Sequence, residues 1–418
     1  MLKRLFLCFM VLVIYPLGLW AQEAHEGEFR IKADNALSIE EVVSLTLSRS
    51  PDKILLKAKE KNTKAYTSRA ASFFAATPEI SLRHQNDSLG ADQGLREWES
   101  SLDLPLWMPG QRSASKQKAR MSEKETRAYE QLVIWQVRGE IVELLWQIKL
   151  AQSDLDQSHQ NLEMALALEK DLLRKIAAGN LPKRAGLLSR KEVMSRKMQV
   201  IEAEREYIHS AKQYEAITGL KRMPANVTAN FSEDFLHKNE TYMSPTIALA
   251  DANVAFLQAA YREKSREWNV APRLSLGVRR EKSSYLDRNI DSVSLGLSMP
   301  LGSGAHMAPR RAAAGMALAE AERQREIIKR EHRLHLHEAE HELEVCESQL
   351  PLTENHYDLA AENLRLSQKA FDLGESDLRD LLIVREQFYQ SSSQKIQKNI
   401  ECKRAIARHN QIKGVMQP

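Results

Sequence analysis

Trp135-Gln136-Val137-Arg138-Gly139-Glu140-Ile141-Val142-Glu143-Leu144-Leu145-Trp146 lies in the middle of a stretch, Gly110 to Ala178, that has no proline and one interior glycine. Apolar residues recur along it at Ala128, Leu132, Trp135, Val142, Trp146, Leu155, Leu162, Leu166 and Leu173, mostly in steps of three, four and seven. That spacing predicts a long coiled-coil-like helix over 110–178. At 1.5 Å per residue it runs about 100 Å, several times the diameter of a small domain, so a compact single-core fold does not accommodate it. The helix turns at Ala177-Ala178-Gly179-Asn180-Leu181-Pro182, where Gly179 caps one helix and Pro182 opens a return helix over 183–218.

Upstream, Gln22 to Ala36 is polar, and Ser38 with Glu41 forms a capping box that opens an amphipathic helix. The helix is interrupted at Ser50-Pro51 and resumes to Ala76. Then the period changes to two. Residues 78–86 and 96–105 alternate apolar with polar around the turn formers Asn86 to Gly94, which predicts a β-hairpin. Met223 to Tyr242 reads as an irregular linker.

After the linker the chain repeats itself. Ser50-Pro51 recurs as Ser244-Pro245, Pro78 as Pro272, Ser81 and Leu82 as Ser275 and Leu276, and Leu188 and Glu192 as Leu382 and Glu386, all 194 residues apart. Pro105 with Pro300 and Gly179 with Gly374 are 195 apart. A register held across helix, hairpin, long helix and turn indicates a duplication of residues 22–222 in residues 243–414. The second copy is expected to hold strands at about 272–281 and 290–300, a long helix at 308–371 bent near Pro351, and a return helix at 376–412. The fold class is therefore mainly helical with a β portion.

Composition agrees with helices and narrows the partners. Of 418 residues, 28% are charged and 6% aromatic, and the net charge of +4 is too small to argue for nucleic acid. Lys3 and Arg4 precede an apolar run to Trp20, which reads as a signal peptide over 1–21. Beyond it only Cys346 and Cys402 remain, and their midpoint is residue 374, at the second helix turn. The two cysteines are thus expected at similar height on adjacent antiparallel helices, close together and bridged only if their rotations match.

Arg273 to Arg279 and Ser292 to Met299 each present one apolar face and one polar or small face. With secretion and lengths near the ten residues needed to cross a bilayer obliquely, they point to membrane strands. Four strands in one chain leave open edges, which lipid does not tolerate. The barrel must then be shared: two copies supply eight strands and three supply twelve.

Ala76-Thr77-Pro78-Glu79-Ile80-Ser81-Leu82, Leu104-Pro105-Leu106-Trp107-Met108-Pro109-Gly110-Gln111-Arg112 and Ser298-Met299-Pro300-Leu301-Gly302, in this order within a duplicated unit, resemble the TolC-like outer-membrane efflux proteins. The resemblance covers about Leu37 to Gly414, and the segment Leu104 to Arg112 is similar to the cation-efflux branch. It implies a homotrimer with a shared 12-stranded barrel in outer-membrane lipid and a long periplasmic α-helical barrel. It also implies a periplasmic adaptor and an inner-membrane pump as partners, with no cofactor. Gly179, Leu181, Gly374 and Ser376 match the family's turn positions, where an adaptor would dock; the same residues also serve as plain helix caps.

Charge differs between the two turns. Arg174, Lys175, Lys183 and Arg184 mark the first, and Asp372, Glu375, Asp377 and Asp380 the second. Of these, Lys183, Arg184, Asp372, Asp377 and Asp380 are expected to bias an entrance shut through many contacts of about 0–1 kcal/mol each.

One motif supports a different class. His337-Glu338-Ala339-Glu340-His341 fits H-E-x-x-H, in which two histidines one turn apart hold zinc and the glutamate acts as base, with Glu362 as a third ligand to seek. Against a zinc metallopeptidase, the motif lies inside a continuous helix without a cleft, in a segment already rich in histidine at His332 and His335. A secreted coiled-coil structural protein would explain the helices but not the four two-faced strands. No nucleotide-binding loop or nucleophile triad is present, so an exit duct would draw its energy from a partner.

Overall fold

The computed structural model describes residues 31–225, 243–268, 270–301 and 304–414. The expected signal peptide over 1–21 and most of the expected linker over 223–242 lie outside the described residues. The chain forms two compact units, one of residues 31–36 with 147–225, the other of 37–146 with 243–414. The sequence repeats are therefore not the packing units, because strands from both repeats bond into one sheet.

In the larger unit, α1 (Ile39–Arg49) opens on Ser38, whose hydroxyl accepts the Glu41 N–H at 3.1 Å. Pro51 breaks the chain before α2 (Asp52–Ala71). The hairpin β2 (Glu79–Asn86) and β3 (Arg96–Pro105) leads into α3 (Gln111–Ala177). The second repeat runs α5 (Pro245–Arg266), β5 (Arg273–Lys282), β6 (Ile290–Ser298), α6 (Gly304–Leu373) and α7 (Leu378–Lys413). The sheet order is β2-β3-β5-β6, antiparallel throughout. α6 is one helix through both Pro309 and Pro351, and it packs against α5 and α7.

In the smaller unit, α4 (Lys183–Thr218) follows the first turn. Met223 and Pro224, read as the start of an irregular linker, instead form with Arg222 a strand, β4 (Arg222–Pro224), which pairs in parallel with β1 (Lys32–Asp34). Three residues show no period to read. What fixes them is an Arg222–Asp34 ion pair at 2.8 Å and the Tyr214 hydroxyl donating to the Arg222 carbonyl at 3.1 Å. Burial pushes the Tyr214 phenol up to about 12, so it remains a neutral donor.

α4 and α7, the return helices of the two expected repeats, share a backbone pattern. α4 and α7 are both 36 residues long, begin 195 positions apart, and end on left-handed Gly219 and Gly414, at φ 70 and 81. The buried positions Arg196, Tyr207, Ser210 and Tyr214 of α4 recur at the same offset as Ser391, Cys402, Ala405 and His409 of α7. The matched Leu188/Leu382 and Glu192/Glu386, 194 apart, are thus one residue out of the structural register.

Cys346 and Cys402 meet across α6 and α7 as a disulfide, with Cα atoms 5.4 Å apart. On α3, Leu132, Val142, Trp146 and Leu155 of the apolar stripe are buried, but Leu166 and Leu173 are exposed at 42% and 53% while Leu168 and Leu172 are buried. A straight helix drifts against a seven-residue repeat, which moves the covered face round by a position or two. Gly139 has its own reason. A Cβ there would lie 2.5 Å from Gln411 Nε2, which donates to the Trp135 carbonyl at 2.7 Å while Trp135 Nε1 donates to the Gln411 carbonyl at 2.9 Å.

Polar packing joins the helices near the sheet. Lys59 pairs with Glu125 at 2.5 Å between α2 and α3. Lys118 on α3 pairs with Glu263 on α5 at 2.9 Å, both side chains largely buried, with the ammonium 4.3 Å from the Tyr66 ring centroid. Among the described residues no helix is long and apolar enough to cross a membrane.

Glu263→Ala leaves the Lys118 ammonium buried without its carboxylate, so it should cost about 3–5 kcal/mol in denaturant unfolding of the detergent-solubilised protein. Adding Lys118→Met should restore most of that loss, and a non-recovering double variant would count against the charge pair as the cause.

Candidate channel wall and helix tips

The strand registers sort the sheet into two faces, since residues directly opposite one another project from the same side. One face stacks three apolar rows: Leu104, Leu274 and Leu297; Ile80, Leu102, Leu276 and Leu295; Leu82, Ser100, Val278 and Val293. Ile80, Leu82, Val293 and Leu295 are 71–84% exposed, so none of the described residues covers that face there. The other face carries Glu79, Asp103, Ser275 and Gly296, then Ser81, Ser101, Gly277 and Ser294, then Arg83, Glu99, Arg279 and Ser292. Its groups bond laterally: Ser81 with Ser101 at 2.7 Å, Ser275 with Asp103, and Arg279 with Glu97 at 2.9 Å and Glu281 at 2.6 Å. β2 and β6 each keep one edge without a partner strand among the described residues.

At the loop end the two hairpins are clamped together. The Tyr285 hydroxyl donates to Asp92 at 2.7 Å and the Tyr285 N–H to the Gln93 carbonyl at 3.1 Å. Alternation has no bearing on loops, so the sequence offered no sign of this clamp or of the lateral Arg279 pairs.

The two helix turns share one hydrogen-bond pattern. In the first, Gly179 (φ 78) donates to the Ile176 carbonyl at 3.0 Å and Asn180 to the Lys175 carbonyl at 2.9 Å. In the second, Gly374 (φ 79) donates to Phe371 at 3.1 Å and Glu375 to Ala370 at 2.9 Å. Each is a Schellman cap that uses up the last helix carbonyls. Leu181 and Ser376 are half-buried beside them, and Ser376 Oγ is enclosed without a hydrogen-bond partner.

The charged candidates divide on local grounds. Asp377 is the N-cap of α7, its carboxylate accepting the Asp380 N–H at 3.0 Å, and Asp380 sits in the first turn, where a helix favours acid. Arg174 and Lys175 close α3 and both reach Asp171, at 3.2 and 3.3 Å. Lys183 and Arg184, exposed in the first turn of α4, carry the sign that the helix dipole disfavours, and so does Asp372 in the last turn of α6.

His337, Glu338 and His341 are exposed on α6, the two rings near-parallel with centroids 6.4 Å apart. Glu362 is held by Arg365 through a bond of 2.7 Å. Among the described residues no group of three His, Cys, Asp or Glu side chains could hold a metal ion. α7 runs back along this part of α6, Arg408 pairing with Glu342 at 3.2 Å, while His337 and His341 stay exposed and His341 lies 3.6 Å from Glu344.

No family model and no curated protein matches the sequence. Solved structures do match. The outer membrane protein VceC of Vibrio cholerae superimposes with a TM-score of 0.69 at 12% identity, over 90% of this chain and 96% of that one. The chain has the TolC-like fold. The transmembrane channel protein CusC gives 0.68 at 13% identity, over 92% and 93% of the two chains, and the open state of the Neisseria gonorrhoeae MtrE outer membrane channel gives 0.64 at 11%, over 90% and 88%. This TolC-like chain contains the two-faced sheet and the two glycine-capped turns.

Because both turn glycines hold a left-handed backbone, Gly179→Ala and Gly374→Ala should each cost about 1–2 kcal/mol locally. Hydrogen exchange should show faster exchange in the flanking helix turns, with the sheet unchanged; equal protection in variant and parent would contradict the cap assignment.

Proposed function

We propose that the chain is one protomer of an outer-membrane exit duct that passively conducts solutes delivered from the periplasm. The observation that carries this reading is the four-stranded sheet, with one uncovered apolar face, one hydrogen-bonded polar face and two open edges. In lipid every backbone group must be paired, so such a sheet is viable only when copies of itself join edge to edge. Three copies close a 12-stranded barrel with the apolar rows toward lipid and the serine, glycine and ion-pair rows toward water. Strands of 8–10 residues suit an oblique crossing.

In this reading transport follows a gradient set by others. An inner-membrane pump and a periplasmic adaptor are the partners, the adaptor docking at Gly179, Leu181, Gly374 and Ser376. Lys183, Arg184 and Asp372, which local helix energetics disfavour, act with Asp380 in holding the entrance narrow; Asp377 contributes its charge but is also needed as a cap. Metal cations are the cargo to which the Leu104 to Arg112 segment points, and the solute that accumulates in a deletion strain identifies it.

The faces are separable by neighbouring residues. Val293→Arg, on the apolar side, should reduce vesicle insertion of heat-modifiable oligomers by about 2–4 kcal/mol, whereas Ser294→Arg on the polar side should leave it nearly unchanged. Equal effects would remove the sidedness on which the duct rests. At the entrance, Asp380→Lys should raise single-channel conductance in planar bilayers without lowering the yield of trimer, and unchanged conductance would refute the gate.

A further inference from the structure

On the loop side the apolar face ends in two rows that are not apolar. His84, Trp98, Arg280 and Asp291 stand in line across the four strands, and Asn86, Arg96 and Lys282 stand in line one step farther out. Strand alternation puts both rows on the same side as Leu82, Val278 and Val293. The first row is internally satisfied. His84 stacks on Trp98 with centroids 4.1 Å apart, and Arg280 grips Asp291 through two bonds of 2.6 and 2.8 Å.

The second row is not. Arg96 and Lys282 are direct cross-strand partners, and like charges so placed oppose strand pairing unless an anion lies between them. The nearby carboxylates are committed elsewhere: Asp87 to the Gln93 N–H, Asp92 to Tyr285, Asp287 to Ser284, and Glu97 and Glu281 to Arg279 on the opposite face. Among the described residues neither Arg96 nor Lys282 has an ion pair.

We propose that Arg96 and Lys282 bind the phosphate of a lipid headgroup in the leaflet on the hairpin-loop side. The site rests on the reading of this sheet as a barrel wall. Trp98 and His84 mark the depth of the interface, as aromatic side chains with one apolar and one wet edge do. A phosphate one step beyond them meets both cations while its acyl chains run down the rows of Val293, Leu295 and Leu297. Charge and apolar surface are thus continuous on one side of one sheet, which is what a phospholipid or phosphorylated glycolipid requires and a free anion does not.

The test uses the full-length protein in phosphatidylcholine nanodiscs doped with diphosphorylated lipid A or its dephosphorylated form, with bound lipid counted by native mass spectrometry. The parent should retain the phosphorylated lipid about tenfold better, as expected for two cations near an anionic surface. Arg96→Gln with Lys282→Gln should abolish that preference, while Arg83→Gln on the polar face should keep it. A double variant that keeps the preference overturns the site, as does its loss in Arg83→Gln or its removal by inorganic phosphate at matched phosphate concentration. Parent protein that fails to enter plain phosphatidylcholine removes the wall as well as the site, whereas entry without phosphate preference removes the site alone.

Discussion

The two open edges of the four-stranded sheet constrain everything else in the structure. Along the outer edges of β2 and β6 the backbone N–H and C=O groups have no partner strand among the described residues, and water can satisfy them only where water reaches. With an apolar face beside them, those edges are viable only if another strand completes the ladder. The sheet is itself assembled from both hairpins, β3 bonding to β5, so the two form one continuous piece.

The helices solve a related problem at lower cost, because a helix satisfies its own backbone and needs help only at its ends. At both turns that help is the same Schellman cap, 195 residues apart, and the return helices begin and end in the same register. Divergence shows where energy is locally indifferent or adverse. The first return helix opens on Pro182 followed by two cations against the dipole, and the second on Asp377 as a proper cap. Lys183, Arg184 and Asp372 carry the sign that the helix dipole disfavours, with Asp372 also accepting from Gln368 at 3.4 Å, and for Lys183 and Arg184 this is the reason to seek a role in assembly or gating. Packing between α6 and α7 is reinforced by the Cys346–Cys402 disulfide, and between α3 and α5 by the buried Lys118–Glu263 pair.

The histidine motif shows the limit of reading spacing alone. His337 and His341 stand one turn apart, as H-E-x-x-H requires, yet both are exposed, and among the described residues no group of three His, Cys, Asp or Glu side chains could hold a metal ion. Ligand spacing within a helix is local; a metal centre also needs a second segment folded back onto it.

By itself the sequence determined the periodic elements: the long helices, the two-faced strands, the turn glycines and the repetition that relates them. Each depends on interactions within a few residues or on a regular alternation that survives in the order of side chains. Tertiary structure decided what alternation does not encode. The pairing of β3 with β5, the β1–β4 strand pair, the Tyr285–Asp92 clamp, the drift of the buried stripe on α3 and the role of Asp377 as a cap all join or distinguish residues by position in space. Hydrogen-bond geometry and helix rotation fix such contacts to fractions of an ångström, whereas apolar spacing fixes them only to within a turn.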